Sequence, residues 1–174
     1  MKLSVYAADS CASNRKVIFK RGIIKNNIAM KERKTNYRVT LYFASNCSIS
    51  SPKYFSSDEE AVIKGLEELS SDKDYFAVMI SKYTGFDEKR GLWNSKLIYA
   101  SDKRGEVTIS APLERERVQE AYDKLKPFRP VYIKLKNGKW CDTIFADTLL
   151  YFLKKMANGD SKIEYITNTI KLGE

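Results

Sequence analysis

The chain has 174 residues, 43% of them hydrophobic and 30% charged, a length and balance that fit one folded domain and exclude a disordered tail. Lys and Arg outnumber Asp and Glu by 31 to 22, and the net charge of +9 favours partners that carry phosphate or an acidic surface. No histidine is present, which excludes every mechanism that needs a His base or a His metal ligand.

The N-terminal third predicts a β-meander. Its apolar and β-branched runs are typical of three strands at residues 2–8, 15–21 and 23–30. Residues 36–45 then alternate strictly between two faces, which predicts a half-buried strand. Its inner face carries Tyr37, Val39, Leu41 and Phe43, and its outer face carries Arg38, Thr40 and Tyr42.

A helix, a central strand and a polar stretch follow in order. Ser57 can cap a helix N-terminus and Glu60 stands three positions later, so we expect residues 57–70 to be helical. Residues 75–83 are apolar on both sides, which is typical of a strand covered on both faces. Residues 84–91 could be a linker, but a long loop is the more economical interpretation.

The next predicted elements are a hairpin and a helix. Residues 97–101 and 106–110 flank a short polar turn in which Gly105 suits the left-handed conformation. Residues 112–126 predict a helix, because Pro112 suits its start and an apolar stripe follows.

Asn137-Gly138 is the strongest hairpin signal in the chain. A two-residue turn there joins strands at residues 130–136 and 139–145 and pairs Leu135 with Trp140. This register predicts a core face of Val131, Ile133, Leu135 and Trp140 and a basic outer face of Tyr132, Lys134, Lys136 and Lys139.

A third helix and a closing strand complete the chain. Residues 146–157 carry an apolar stripe that ends at Asn158-Gly159, and residues 162–172 alternate as a strand. This order lacks the βαβ rhythm of a parallel sheet. We therefore predict an α+β fold with a mostly antiparallel sheet, an N-terminal β-meander and about three helices. Residues 1–174 are expected to form a single domain, with residues 84–92 as a candidate subdivision.

Basic charge is concentrated at the N-terminus. The first forty residues contain ten basic and two acidic side chains, whereas the others contain 21 and 20. A second stretch, residues 126–139, holds five basic side chains and no acidic one. Basic strands with exposed aromatic residues are typical of single-strand binders, because cations meet phosphates and rings stack on bases. The candidate nucleic-acid-binding residues are Arg15, Lys16, Lys20, Arg21, Lys25, Lys31, Arg33, Lys34, Arg38, Tyr42, Tyr132, Lys134, Lys136 and Lys139.

No motif for a cofactor or a metal is present. The chain has neither a Walker A loop nor a GxGxxG sequence, and Cys11, Cys47 and Cys141 lack CxxC spacing. Glu114-x-Glu116 and the carboxylates at residues 58–60 stand at predicted helix starts, where they compensate the helix dipole. We predict no metal and no cofactor. No apolar run is long enough to span a membrane, so we expect a soluble, cytoplasmic protein without a membrane partner.

Three functional hypotheses remain. The leading one is a non-enzymatic nucleic-acid-binding or nucleic-acid-associated regulatory protein whose basic N-terminal β surface binds DNA or RNA. The second is a protein-binding inhibitor of a nucleic-acid-processing machine, in which the basic face meets an acidic protein surface. The third is a histidine-free, metal-independent endoribonuclease that uses Lys, Arg, Glu or Tyr. The alternative to all three is that the lysines only keep strands soluble and guard sheet edges.

Overall fold

Two four-stranded antiparallel sheets form the framework of the residues that the structure, a computed structural model, describes: 36–43, 47–160 and 162–173. These residues lie in one compact unit that spans residues 35–174 and, as far as it is described, contains three α-helices. The predicted α+β class and antiparallel pairing are therefore confirmed. The strands predicted at residues 2–8, 15–21 and 23–30 lie outside the described residues, and the single domain for residues 1–174 stays a prediction.

The first sheet has the strand order β2-β1-β3-β4. Its strands are β1 (Tyr37–Phe43), β2 (Cys47–Lys53), β3 (Tyr75–Asp87) and β4 (Leu92–Asp102). The strand β3 lies between β1 and β4, as its apolar sequence predicts. The sequence does not predict β2, because this strand is polar and contains Pro52. Proline is tolerated there because β2 lies at the sheet edge.

Helix α1 (Asp58–Ser71) covers one face of this sheet. The Ser57 hydroxyl accepts a hydrogen bond from the Glu60 N–H at 3.1 Å, so the predicted N-terminal cap is confirmed. Gly65 faces the sheet, and a Cβ added to it would lie 2.6 Å from Cδ1 of Ile80. The helix therefore packs very closely on β3.

The second sheet has the order β5-β8-β6-β7. Its strands are β5 (Thr108–Ser110), β6 (Val131–Leu135), β7 (Trp140–Thr143) and β8 (Ile163–Thr167). Helices α2 (Val118–Leu125) and α3 (Ala146–Ala157) pack on it through the fully buried Leu125, Ile133 and Leu153.

The three helices differ in how well the sequence predicts them. Helix α3 has the predicted bounds, whereas α2 begins six residues later than the predicted start at residue 112. The delay arises because Glu114 is extended and a short 3-10 turn (Arg115–Arg117) precedes the helix. No helix of the described ranges is long and apolar enough to cross a membrane.

The two sheets meet at a small cluster formed by Ala100, Tyr132 and Ile170. Met79, which packs on this cluster, lies between two β3 residues that face α1, so strand alternation places it on the opposite face. Tyr132 likewise alternates with Val131 and Ile133, which face α2 and α3. The layer order is therefore helix, sheet, sheet, helices.

The hairpin predicted between residues 97–101 and 106–110 is wrong. β4 pairs with β3 in the first sheet, whereas β5 pairs with β8 in the second. The chain leaves the first sheet at Asp102, whose buried carboxylate accepts hydrogen bonds from Nε and Nη2 of Arg104 at 2.9 and 2.6 Å. Nη1 of Arg104 donates to the Pro127 carbonyl at 2.7 Å, so this pair ties the crossover to the second sheet's helical layer.

The register predicted for the hairpin β6–β7 is wrong by one residue. Trp140 pairs with Lys134, not with Leu135. The Gly138 N–H donates to the Leu135 carbonyl, and Gly138 has a φ of +80°, so the turn is a three-residue loop with a glycine bulge. The extra loop residue moves Trp140 from the predicted core face to the face of Tyr132 and Lys134.

The loop predicted at residues 84–91 is also too long. β3 continues to Asp87 and β4 begins at Leu92, with Phe86 opposite Trp93. The pairing continues because a bulge after Tyr83 absorbs one residue and the aromatic pair closes the hairpin.

Candidate nucleic-acid interface

The turn between β6 and β7 presents lysines without carboxylate partners. Lys136 and Lys139 are exposed and Lys134 is half-buried. Within the described part of the chain, none of these three forms an ion pair. By contrast, Nζ lies 2.5–2.8 Å from a carboxylate oxygen in Lys64, Lys124 and Lys126. The turn lysines therefore keep their positive charge available for an external anion.

Aromatic rings fix Lys134 beside the turn. Its Nζ lies 4.5 Å from the centroid of the Trp140 ring, which is a cation–π distance. Trp140 meets Tyr165 edge-on, with 5.7 Å between ring centroids. Nε1 of Trp140 is buried and has no hydrogen-bond partner among the described residues, so its contacts with Lys134 and Tyr165 and its packing hold this ring without a hydrogen bond. The contact with Trp140 therefore holds the Lys134 ammonium group against the sheet.

The stacking role predicted for Tyr42 and Tyr132 is wrong, because both rings are buried. Their exposed fractions are 8% and 1%. Tyr132 belongs to the cluster between the sheets, and the Tyr42 hydroxyl donates to the sulfur of Met79 at 3.9 Å. Burial raises the pKa of both tyrosines, and the nearby Asp142 carboxylate raises it further. Neither ring can stack on a base.

Arg38 is exposed on β1, as predicted, and contacts an aromatic ring. Its Nε donates to the Tyr83 hydroxyl at 3.2 Å, and its Cζ lies 5.6 Å from the Tyr83 ring centroid. The predicted N-terminal site residues lie outside the described residues; they are Arg15, Lys16, Lys20, Arg21, Lys25, Lys31, Arg33 and Lys34. Of the predicted set, the structure thus leaves Arg38 and the three turn lysines accessible.

The carboxylates at the start of α1 stabilise the fold. Asp58 accepts hydrogen bonds from Nζ of Lys82 at 2.8 Å and from the Tyr37 hydroxyl at 2.5 Å, which hold its pKa below the ordinary value. The Glu60 carboxylate accepts a hydrogen bond from the Ser56 N–H at 2.7 Å. Across the described ranges, no three potential metal ligands converge.

The sequence interpretation missed a group of rings on the hairpin β3–β4. Tyr83, Phe86 and Trp93 are partly exposed, and the Trp93 centroid lies 5.6 Å from that of Tyr83 and 5.3 Å from that of Phe86. The signal in the sequence is an aromatic residue on each side of a short polar turn, Phe86 before it and Trp93 after it. A loop predicted at residues 84–91 places Phe86 outside the strands, so the prediction does not pair it with Trp93.

Comparisons with known proteins add no further assignment. The chain matches no protein-family model, and searches of curated proteins and of solved structures find no significant match. The candidate interface is therefore interpreted from its own geometry and charge.

Proposed function

We propose that this protein is a cytoplasmic nucleic-acid-binding protein that acts by binding alone. Its described interface is the β6–β7 turn with Lys134, Lys136 and Lys139, together with Arg38 on β1. The segment of residues 1–34, with nine basic and two acidic side chains, is a separate candidate for phosphate binding in the proposal.

The observation that carries the proposal is the lack of neutralisation at the turn. A carboxylate neutralises Lys124 on helix α2, where Glu120 lies at 2.5 Å. The turn lysines have no such partner in the described ranges, and two of them project from an exposed loop. Phosphate oxygens of a nucleic-acid backbone would neutralise them and release counterions, which is the main source of affinity in non-specific binding.

The test removes the three turn lysines and compares the result with an equal loss of charge elsewhere. The variant Lys134→Gln, Lys136→Gln, Lys139→Gln should bind labelled single strands about tenfold or more weakly, uniformly across sequences. The control variant Lys64→Gln, Lys124→Gln, Lys126→Gln loses the same charge from lysines that are already paired. Fluorescence anisotropy at constant salt measures both.

Equal weakening of the two variants would mean that net charge alone drives binding, which contradicts an interface at the turn. Binding that neither variant changes would contradict it as well. Tight binding of an acidic protein without measurable affinity for any oligonucleotide would replace the proposal with the protein-binding alternative.

A further inference from the structure

We propose that the hairpin β3–β4 carries a stacking platform for the unpaired bases of single-stranded nucleic acid. Tyr83, Phe86 and Trp93 form the platform, and Arg38 lies at its side. This inference rests on the proposed function and names the form of nucleic acid that the protein prefers.

Strand register places the rings on one face. Tyr83 pairs with Ser95, and Phe86 pairs with Trp93, while the bulge between these pairs takes up Thr84. Ser95 and Trp93 are two residues apart on β4, so their side chains share a face, and their partners share it too. Tyr83 and Phe86 are three residues apart, which would place them on opposite faces of a regular strand. Because the bulge adds one residue between them, they lie on the same face.

The same face also receives Arg38. It pairs with Ser81, which is two residues before Tyr83 on β3. Val39 and Ile80 stand next to Arg38 and Ser81 in the sequence, and both belong to the hydrophobic cluster between the first sheet and α1. Because neighbouring residues on a strand point to opposite faces, Arg38 and Ser81 lie on the face away from α1. The platform therefore lies outside the helix-covered core of the first sheet.

The three rings do not stack face to face on one another. The planes of Tyr83 and Trp93 are tilted by 52°, and those of Phe86 and Trp93 by 60°. Tilted pairs contact through an edge, which leaves ring surface for a further aromatic partner. A nucleic-acid base is such a partner, and stacking of bases on aromatic side chains does not depend on sequence.

Charge around the platform fits a polyanion better than an apolar peptide. The Arg38 guanidinium is exposed at one end of the platform. The hairpin tip carries exposed Glu88, Lys89 and Arg90, and Arg90 pairs with Asp87 at 3.7 Å, so Arg38 is the cation on the platform face. Asp87 follows Phe86 on β3 and therefore lies on the opposite face of the sheet. Its carboxylate accepts hydrogen bonds from the backbone N–H groups of Lys89 and Arg90. Cations beside stacking rings are the combination that binds single strands.

The strand that carries the platform also contacts the cluster between the sheets, on which Trp140 packs. Met79 and Trp140 both pack on this cluster. Tyr83 lies four residues after Met79 on β3, about 13 Å along an extended chain.

The direct test uses the fluorescence of Trp93. The chain contains two tryptophans, so Trp140→Phe leaves Trp93 as the single emitter while keeping a ring beside Lys134. A 15-nucleotide oligothymidine should quench this emission, whereas a 15-base-pair duplex, whose bases are already stacked, should not. Unchanged emission with bound oligothymidine overturns the platform.

Substitutions at Trp93 provide the second test. Trp93→Leu should weaken oligothymidine binding by about 5- to 150-fold, which corresponds to the loss of one stacked base, and should leave duplex binding unchanged. Trp93→Phe should restore most of the affinity, and Tyr151→Leu, at a partly exposed ring on α3, is the matched control. Circular dichroism checks that the hairpin variants stay folded.

The outcomes separate this inference from the proposed function. In one outcome Trp93→Leu weakens the binding of oligothymidine and of duplex equally, and in another it changes neither, while the turn-lysine variant still loses affinity. In either case the platform is wrong and the proposed function stands. If no oligonucleotide binds the unmodified protein at low salt, both are wrong.

Discussion

Removal of the Arg104 side chain should expose how the two sheets are held together. Its guanidinium lies 4.1 Å from the Phe76 ring centroid and 5.0 Å from that of Phe128, and it forms a bidentate pair with Asp102. The Asp102 side chain is 1% exposed and that of Arg104 is 37% exposed. Arg104→Met keeps apolar bulk between the rings but leaves a buried carboxylate without its counterion.

The expected cost follows from this burial. Breaking a fully buried ion pair costs about 3–5 kcal/mol, and the partial exposure of Arg104 reduces this to about 2–3 kcal/mol. Adding Asp102→Asn to Arg104→Met removes the unpaired charge, so the double variant should be more stable than Arg104→Met alone, with a coupling of about 1–2 kcal/mol. The control is Arg90→Met, whose Nε lies 3.7 Å from Asp87 at the surface and whose loss should cost less than about 1 kcal/mol.

Urea unfolding followed by circular dichroism measures these free energies. Similar losses for Arg104→Met and Arg90→Met would refute the reasoning, because the Asp102 pair would then behave as an exposed one. A double variant no more stable than Arg104→Met would show that the loss came from the ring contacts instead of the carboxylate.

Two further predictions concern α1. Gly65→Ala gains about 1 kcal/mol of helix propensity but presses a Cβ against the buried Ile80, which costs about 1–3 kcal/mol, so we expect a net loss in urea unfolding. In an Ile80→Val background, which lacks the clashing Cδ1, the same substitution should become stabilising, and a gain in both backgrounds would contradict the close approach. Asp58→Asn should cost about 1 kcal/mol at pH 7, since hydrogen bonds from Lys82 and Tyr37 depress the Asp58 pKa. Because the Asp58 pKa is lowered in the folded state, the ionised carboxylate stabilises the fold at pH values above the unfolded pKa of about 3.9, and this stabilisation is lost as the pH falls through the native pKa. The free energies of unfolding of the unmodified protein and of Asp58→Asn should therefore converge in acid. A difference that stays constant with pH would contradict this account.

Elements that depend on local signals could be predicted from the sequence. The Ser57 cap and the apolar stripe of α3 act within one or two turns of helix, and both helices lie where these signals place them. The central position of β3 follows from apolar residues on both of its faces. These features need no knowledge of distant contacts.

Elements that depend on distant contacts could not. Asn137-Gly138 suits a two-residue turn and a three-residue turn with a bulge, and this one-residue difference decides which face Trp140 occupies. The outer face of β1 looks solvent-exposed until the second sheet covers it, and this covering buries Tyr42. The exposed rings of β3–β4 emerge only when the bulge after Tyr83 sets the register. The described cations of the candidate site are accessible to a ligand and their role stays a prediction, whereas its two aromatic residues are buried.

The most direct test of the central claim, that this protein binds nucleic acid through the β6–β7 turn, is the salt dependence of binding to a labelled single strand. Each phosphate neutralised on a single strand contributes about 0.7 to the slope of log affinity against log salt. We expect the variant Lys134→Gln, Lys136→Gln, Lys139→Gln to reduce this slope by about 2, and the variant at Lys64, Lys124 and Lys126 to leave it unchanged. An equal slope for the unmodified protein and the turn variant would contradict the claim.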